Sequence, residues 1–375
     1  MEAAHGPDPT ADGGWRRALP PIFAIFLASR LLLLVVVAVV EATLPLAYDR
    51  PTYSTAPILG GLTGHDAIYY LGIAAEGYHA EPVAGQFRDW VFFPLFPLLT
   101  RLASFATLGD IALAGVLVAN AAFLLGLMAI YRAVRVHLGT HEQALTTVFL
   151  VALGPGSVAF GMAYSDSLML ACITWALLAA GSGQYGRMGV LFALAVLARP
   201  PGILFGVALV AALFARDGRR WHHGWLALGM GPLALGGFAL YQWQALGDPL
   251  AFVHGQGAWT IPTIAGPMAS PGGVGSVAPL VVLLVATLLI HTAMLPGLVR
   301  RRIPRQYVAI ALVAFASVFA SGRLQSDARY LAAGWPFAWH VALAKNWIAR
   351  LLIPGLSAAS YVLFAFLHVT QALAP

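Results

Sequence analysis

Apolar runs of about twenty residues recur along this 375-residue chain, and they limit its fold more than any other feature. About twenty apolar residues is what a helix needs to cross the hydrocarbon layer of a bilayer. The runs fall near 19–41, 110–131, 142–161, 166–181, 188–199 with 201–215, 224–245, 276–298, 306–321, 330–344 and 351–372. Backbone within lipid must satisfy its own hydrogen bonds. The expectation is therefore an all-α integral membrane protein, a polytopic helical bundle with about 9–11 membrane helices. Composition agrees: 60% of residues are hydrophobic and 10% charged, against about 45–50% and roughly 25% in soluble domains. That excludes a soluble globular enzyme, a disordered chain and a nucleic-acid-binding module. The pI near 9.7 does not revive the last of these. The net charge is only +6, and basic stripes with interleaved aromatics are missing. Cys172 is the one cysteine, so an internal disulfide, a cysteine zinc site and an iron–sulfur cluster are excluded.

Segment order follows from the same pattern. Residues 1–18 read as a polar cytoplasmic tail, and 19–375 as a single transmembrane domain with no internal repeat and no linker. The 19–41 run is longer than a signal-peptide core and has no small-residue cleavage site, so it reads as a retained helix. Arg30 inside it should face protein or snorkel. Residues 42–109 read as a large first non-cytoplasmic loop with short amphipathic helices. Within it, 90–105 is short and interrupted by Pro94 and Pro97, which favours a re-entrant or interfacial helix over a span. The 188–215 piece breaks at Arg199-Pro200-Pro201-Gly202, giving two short helices that meet where backbone can line a cavity. With the N-terminus in the cytoplasm, fourteen of the 21 basic residues fall on that side, among them Arg16, Arg17, Arg132, Arg135, Arg300, Arg301 and Arg305. The bias fits the positive-inside rule. Asp49, Asp66, Glu76, Glu81, Asp89, Asp110, Asp166, Asp248 and Asp327 fall on the other side, as do Arg50, Arg88, Arg199, Arg323 and Arg329.

The outer segments hold five polar clusters. Gly64-His65-Asp66 precedes an amphipathic turn with Tyr69 and Tyr70. Asp66 suits a helix N-cap, a surface catalytic carboxylate, or both. Tyr164-Ser165-Asp166-Ser167 has the look of a capped loop between two apolar runs. Arg199 in a helix break is a functional-site candidate or a structural partner for a loop acid. Gly247-Asp248-Pro249 suits an Asp-Pro turn that opens an interfacial helix leading toward Trp259. In 322–330, Arg323 and Arg329 flank Asp327, as a solvated ion pair or a phosphate clamp. His65 and His79 could bind a metal with Asp66, but such histidines are more often hydrogen-bonded structural groups. His222-His223 has no neighbouring ligand set. Walker, G-x-S-x-G and H-E-x-x-H patterns are lacking.

HDAIYYLGIAAEGY (65–78) followed by FFPLFPLLTRL (92–102) resembles the signature of PIG-V-type mannosyltransferases. In the same order, Gly154-Pro155-Gly156-Ser157 with Tyr164-Ser165-Asp166-Ser167 resembles that family's P-S and Y-S-E-S element. Leu197-Ala198-Arg199-Pro200-Pro201-Gly202 resembles its L-T-R-P-T-G, and Gly247-Asp248-Pro249-Leu250-Ala251-Phe252 its G-D-P-L-A-F. Arg329-Tyr330 with Pro336 resembles its closing R-Y and P. His65 stands where the family has an aromatic, Asp166 where it has Glu, and Tyr69 where many members have His. Arginine far exceeds lysine, which fits a bacterial member.

The resemblance implies a GT-C-type bundle and a mannosyl or other hexosyl transfer from a polyprenyl-phosphate-linked donor. The acceptor would be a glycolipid, lipoglycan or protein, and the active site would face away from the cytoplasm, here at the plasma membrane. An acceptor hydroxyl needs a base, for which Asp66 is the candidate. The leaving lipid phosphate needs cations, for which Arg199 and Arg329 are candidates. Asp166 would hold the acceptor or orient an arginine, with His65, Tyr164 and Asp248 in the same site. No cofactor or metal is expected, and no nucleic acid partner. Two other readings stay open: a polytopic transporter or lipid-linked sugar flippase, and a non-catalytic subunit of a glycosylation complex.

Overall fold

A computed structural model describes residues 14–43, 52–79, 89–138, 140–218, 220–256, 273–301, 303–321 and 327–370. The tail through residue 13, Asp49, Arg50, Glu81, Arg88, Trp259 and Arg323 lie outside these residues. Among the described residues the chain is all helix, without a strand, and one isolated bridge joins Thr52 to Gly64.

The helices run in chain order. The first half holds α1 Gly14–Thr43, α2 Leu59–Leu62, α3 Asp66–Glu76, α4 Leu95–Ser104, α5 Ile111–Leu138, α6 His141–Ala152, α7 Asp166–Gly181 and α8 Tyr185–Ala198. The second half holds α9 Gly206–Asp217, α10 His223–Leu228, α11 Met230–Leu246, α12 Ala251–His254, α13 Gly273–Arg300, α14 Arg305–Ser321, α15 Asp327–Ala332, α16 Pro336–Ala342 and α17 Trp347–Val369.

Among the described residues, five helical segments are long and apolar enough to cross a membrane: Arg16–Thr43, Ile111–His137, Pro200–Asp217, His223–Leu246 and Arg350–Val369. A bent pair, His141–Ala152 with Pro155–Gly161, passes the same test as one unit, and five shorter apolar helices accompany them. The chain is a multi-pass membrane protein. Its surface says the same: Phe23, Leu27, Leu31, Val35 and Val39, four residues apart along α1, are all exposed. An apolar stripe facing outward is at home in lipid, where a water-soluble helix would turn it inward. The opposite face buries Ile22, Leu33, Val37 and Val40.

Arg30 turns inward. Its guanidinium donates to Asn120 Oδ1 and the Tyr361 hydroxyl, both at 3.3 Å, and lies 4.8 Å from the Phe123 ring centroid. Among the described residues it has no carboxylate partner, and it ties α1 to α5 and α17 through neutral groups. At the centre, α7 is apolar on every side; it packs on α5 and α8 and buries all but three of its residues.

The α4 helix is only ten residues long. It buries Phe96, Pro97 and Thr100 and exposes Leu98, Leu102 and the following Phe105. About 15 Å of helix cannot cross the hydrocarbon layer, and a one-sided apolar stripe suits an interface. In contrast, the apolar run 142–161 is not continuous. It bends by 75° between Ala152 and Pro155 and continues as a 3₁₀ stretch, Pro155–Gly161. Pro155 has no N–H to extend the α6 ladder, and Ser157 N–H bonds Gly154 O instead, at 3.0 Å. The second break falls at Arg199. Proline disfavours helical geometry in the residue before it, and Arg199 is accordingly extended (φ −158°, ψ 148°) between α8 and a 3₁₀ turn, Pro200–Phe205.

Candidate functional site

Four charged side chains from four distant segments meet in one place. Asp66 and Asp166 each occupy the first turn of a helix, α3 and α7, where the helix dipole favours a negative charge. Neither side chain is spent on capping; both face arginines. Arg329 Nη1 donates to Asp66 Oδ2 at 2.7 Å, and Arg329 Nε donates to both oxygens of Asp166 at 3.0 Å. Arg199 Nη1 donates to Asp166 Oδ1. The two negative and two positive charges cancel, which is the condition for burying them. The side chains of Asp166, Arg329 and Arg199 are 5%, 6% and 9% exposed, and that of Asp66 is 21% exposed. Asp66 is thus the open acid of the cluster, and its Oδ1 has no hydrogen-bond partner among the described residues. Arg329 Nη2 lies 2.9 Å from Asp166 Oδ2 but is not aligned to donate to it, so those N–H groups stay unspent.

Local structure explains each placement. The loop before Asp66 is pinned by Tyr53 N–H to Thr63 O at 3.1 Å and by Ala163 N–H to Leu62 O at 3.1 Å. At its end His65 adopts φ 54° and ψ −125°, a left-handed conformation that costs a non-glycine residue about 1–3 kcal/mol. Its ring packs 4.7 Å from the ring of His368 on α17. Comparing two substitutions separates the strain from the ring. His65→Gly should be more stable than His65→Ala by about 1 kcal/mol, because both lose the ring and only alanine keeps the strain. Thermal unfolding of the two variants checks this.

Arg329 is placed by a backbone contact. A Cβ on Gly156 would lie 1.8 Å from Ala328 O and 2.9 Å from Ala332 Cβ, so only glycine lets the 3₁₀ stretch reach α15. Gly156→Ala should push α15 outward and destabilise by about 1–3 kcal/mol. It should also reduce whatever activity depends on Arg329. A Tm and an activity measurement on the same preparation test both parts.

Aromatic groups close the site. Tyr164 places its ring 4.6 Å from the Arg329 guanidinium and donates its hydroxyl to Gly64 O at 3.3 Å. Its hydroxyl also lies 3.4 Å from His368 Nε2. The Tyr330 ring lies 5.7 Å from Arg199. Tyr70 Oη and Ser165 Oγ are 2.6 Å apart, joining α3 to the residue before Asp166. Burial pushes the Tyr70 hydroxyl up to about 12, so it stays protonated. Beside this, a cavity of about 550 Å³ is lined by Ile73, Ala74, Tyr78, Leu197, Phe238 and Tyr241, with Arg101 among its few polar groups. Leu197 lies two residues before Arg199, and Ile73 one turn beyond Tyr70.

Of the sequence candidates, Asp66, Asp166, Arg199, Arg329, Tyr164 and His65 come together. Asp248 makes its contacts within its own turn, accepting from Leu250 N–H at 2.9 Å and lying 2.8 Å from His254 Nδ1. The His254 contact holds its carboxyl below the usual carboxylate range. His79 pairs with Asp89 (Nδ1 to Oδ2, 3.0 Å), not with Asp66. His222 stacks on Tyr185 and accepts from Gly224 N–H. The described residues hold no group of three or more metal-type ligands. Tyr70, Ser165 and His368 also belong to the site; the sequence marks Tyr70 and Ser165 only as members of polar clusters and His368 not at all. The Asp327 side chain lies outside the described residues.

Residues 52–215 match the family described as Mannosyltransferase (PIG-V). The chain is 32% identical over 159 residues to GPI alpha-1,6-mannosyltransferase 2 of Cricetulus griseus, covering 39% of this chain and 30% of that protein. It is 28% identical over 194 residues to GPI mannosyltransferase 2 of Chaetomium globosum, covering 43% and 40%. The chain thus spans well under half the length of these relatives. Among solved structures, the Archaeoglobus fulgidus oligosaccharyltransferase tethered with an acceptor peptide superposes with a TM-score of 0.50 at 12% identity, covering 96% of this chain and 56% of that one. This likeness is one of fold alone. The matched family region contains Asp66, Asp166 and Arg199; Arg329 lies beyond it and reaches the cluster through the fold.

Proposed function

We propose that this chain, which over residues 52–215 matches the family described as Mannosyltransferase (PIG-V), is a membrane glycosyltransferase that moves a mannosyl or other hexosyl group from a polyprenyl-phosphate donor. The acceptor is a hydroxyl of a glycolipid, lipoglycan or protein. The site faces away from the cytoplasm at the plasma membrane, as the arginine distribution favours. The observation that carries this reading is the charge-balanced cluster in which Asp66 is the open acid and Arg329 links it to Asp166.

The chemistry follows from that arrangement. A hydroxyl is a weak nucleophile near neutral pH, and Asp66 takes its proton as the oxygen attacks the anomeric carbon. The new glycosidic bond forms as the bond from that carbon to the phosphate oxygen breaks, so the configuration inverts. Once protonated, Asp66 no longer neutralises Arg329. The arginine charge is released as the polyprenyl phosphate gains negative charge, which favours departure. Asp166, enclosed by Arg199 and Arg329, holds both guanidiniums in place. The 550 Å³ cavity beside Leu197 is apolar enough to take part of the isoprenoid tail. These steps use the chain's own side chains and no metal or cofactor.

The direct test supplies the purified full chain in proteoliposomes with polyprenyl-phosphate mannose and a membrane lipid extract. Polyprenyl phosphate should appear in step with a mannosylated product. Intact donor moved across the bilayer, with no phosphate released, would establish a flippase instead.

A further inference from the structure

A second cavity, of about 620 Å³, lies away from the charged cluster, between α13, α16, α17 and the 3₁₀ stretch after α6. Its walls include Leu150, Ile290, Phe337, Leu356 and Phe364, and no carboxylate is among the described residues that line it. Arg301 lines it where α13 ends and also donates to the His340 carbonyl at 3.1 Å. Arg300 and Arg305, near Arg301 in the chain, are exposed. Two polar groups in its walls are unspent: Trp335 Nε1, on a side chain 1% exposed, and His340 Nδ1 have no hydrogen-bond partner among the described residues. Buried polar groups are normally paired, so an apolar cavity with unmet polar atoms is shaped for an amphiphile.

We infer that this cavity binds an anionic phospholipid from the leaflet that the arginine distribution assigns to the cytoplasm. The acyl chain fills the apolar walls, an ester carbonyl accepts from Trp335 Nε1, and the phosphate sits at Arg301. Charge complementarity selects this occupant over a neutral lipid: Arg301 is the one charged side chain among the described residues that line the cavity. Gly156, Ala328 and Ala332 form part of the cavity wall, and these are the residues whose close approach sets α15. A bound lipid therefore braces the helix that carries Arg329 from behind. The inference concerns lipid binding and stands apart from the sugar-transfer reading.

The test measures lipid retention on the full-length protein. It is extracted from vesicles of phosphatidylcholine and phosphatidylglycerol in equal parts and examined by native mass spectrometry. Wild type should keep one phosphatidylglycerol. Arg301→Gln, a change at an exposed position, should weaken retention about fivefold. Ala338→Phe, which fills the cavity, should abolish it, with thermal unfolding confirming that both variants are folded. Equal retention of phosphatidylcholine, undiminished retention in Ala338→Phe, or displacement by inorganic phosphate alone would each overturn the inference. The last result would mark a small-anion site.

Discussion

Asp66→Asn should lower sugar transfer by about 10²–10⁴-fold while leaving the protein folded. Asparagine keeps the shape and still accepts a hydrogen bond from Arg329, but it cannot take the acceptor proton. The substitution leaves the cluster with one excess positive charge. Asp66 is the least buried member, so water can screen that charge, and the expected Tm change is small. The measurement is transfer from polyprenyl-phosphate mannose at matched expression. Donor binding measured separately should persist, because both arginines remain. Transfer at the wild-type rate would remove Asp66 from the role of base. Loss of folding together with activity would make it a structural acid.

Arg329→Ala should have the largest effect on stability. Arg329 contacts both acids and is 6% exposed. Without it, Asp66 has no cation and Asp166 only Arg199. Removing one partner of a buried ion pair costs about 3–5 kcal/mol, because the charge left behind has neither water nor partner. Arg329→Lys should recover part of that stability but little transfer. A single ammonium cannot reproduce a guanidinium that presents Nη1 to Asp66 and Nε to Asp166. Unfolding in detergent, read beside transfer for the two variants, checks this. Equal activity of the lysine and wild-type proteins would show that the bridging geometry is not needed.

The four members of the cluster were visible in the sequence because charge is scarce and costly in an apolar chain. Their pairing was not, since Arg329 meets Asp166 and Asp66 across 163 and 263 residues. Pattern alone also made a helix cap the favoured role for Asp166; packing overrode it, because two arginines reach the carboxylate. Asp248 went the other way: its family-like motif stood out, but its contacts are those of an ordinary Asp-Pro turn. Tyr70 and Ser165 stood out only as members of polar clusters, and His368 in no way, being a neutral residue within an apolar run. The bend after α6 was hidden in the run 142–161, although Gly154-Pro155-Gly156 carries a turn signal that the surrounding hydrophobicity masks.

The cluster also imposes an order on biogenesis. Ribosomes deliver Asp66, Asp166 and Arg199 first, and these three sum to one negative charge. Arg329 arrives only after α13 and α14 have been made, and with it the sum falls to zero. Until then the nascent bundle holds an unbalanced carboxylate where the finished protein excludes water. A chain halted before residue 327 should therefore hold Asp66 and Asp166 without the arginine that links them, and be less stable than the full chain. The charge that balances the site is thus the last of the four to be synthesised.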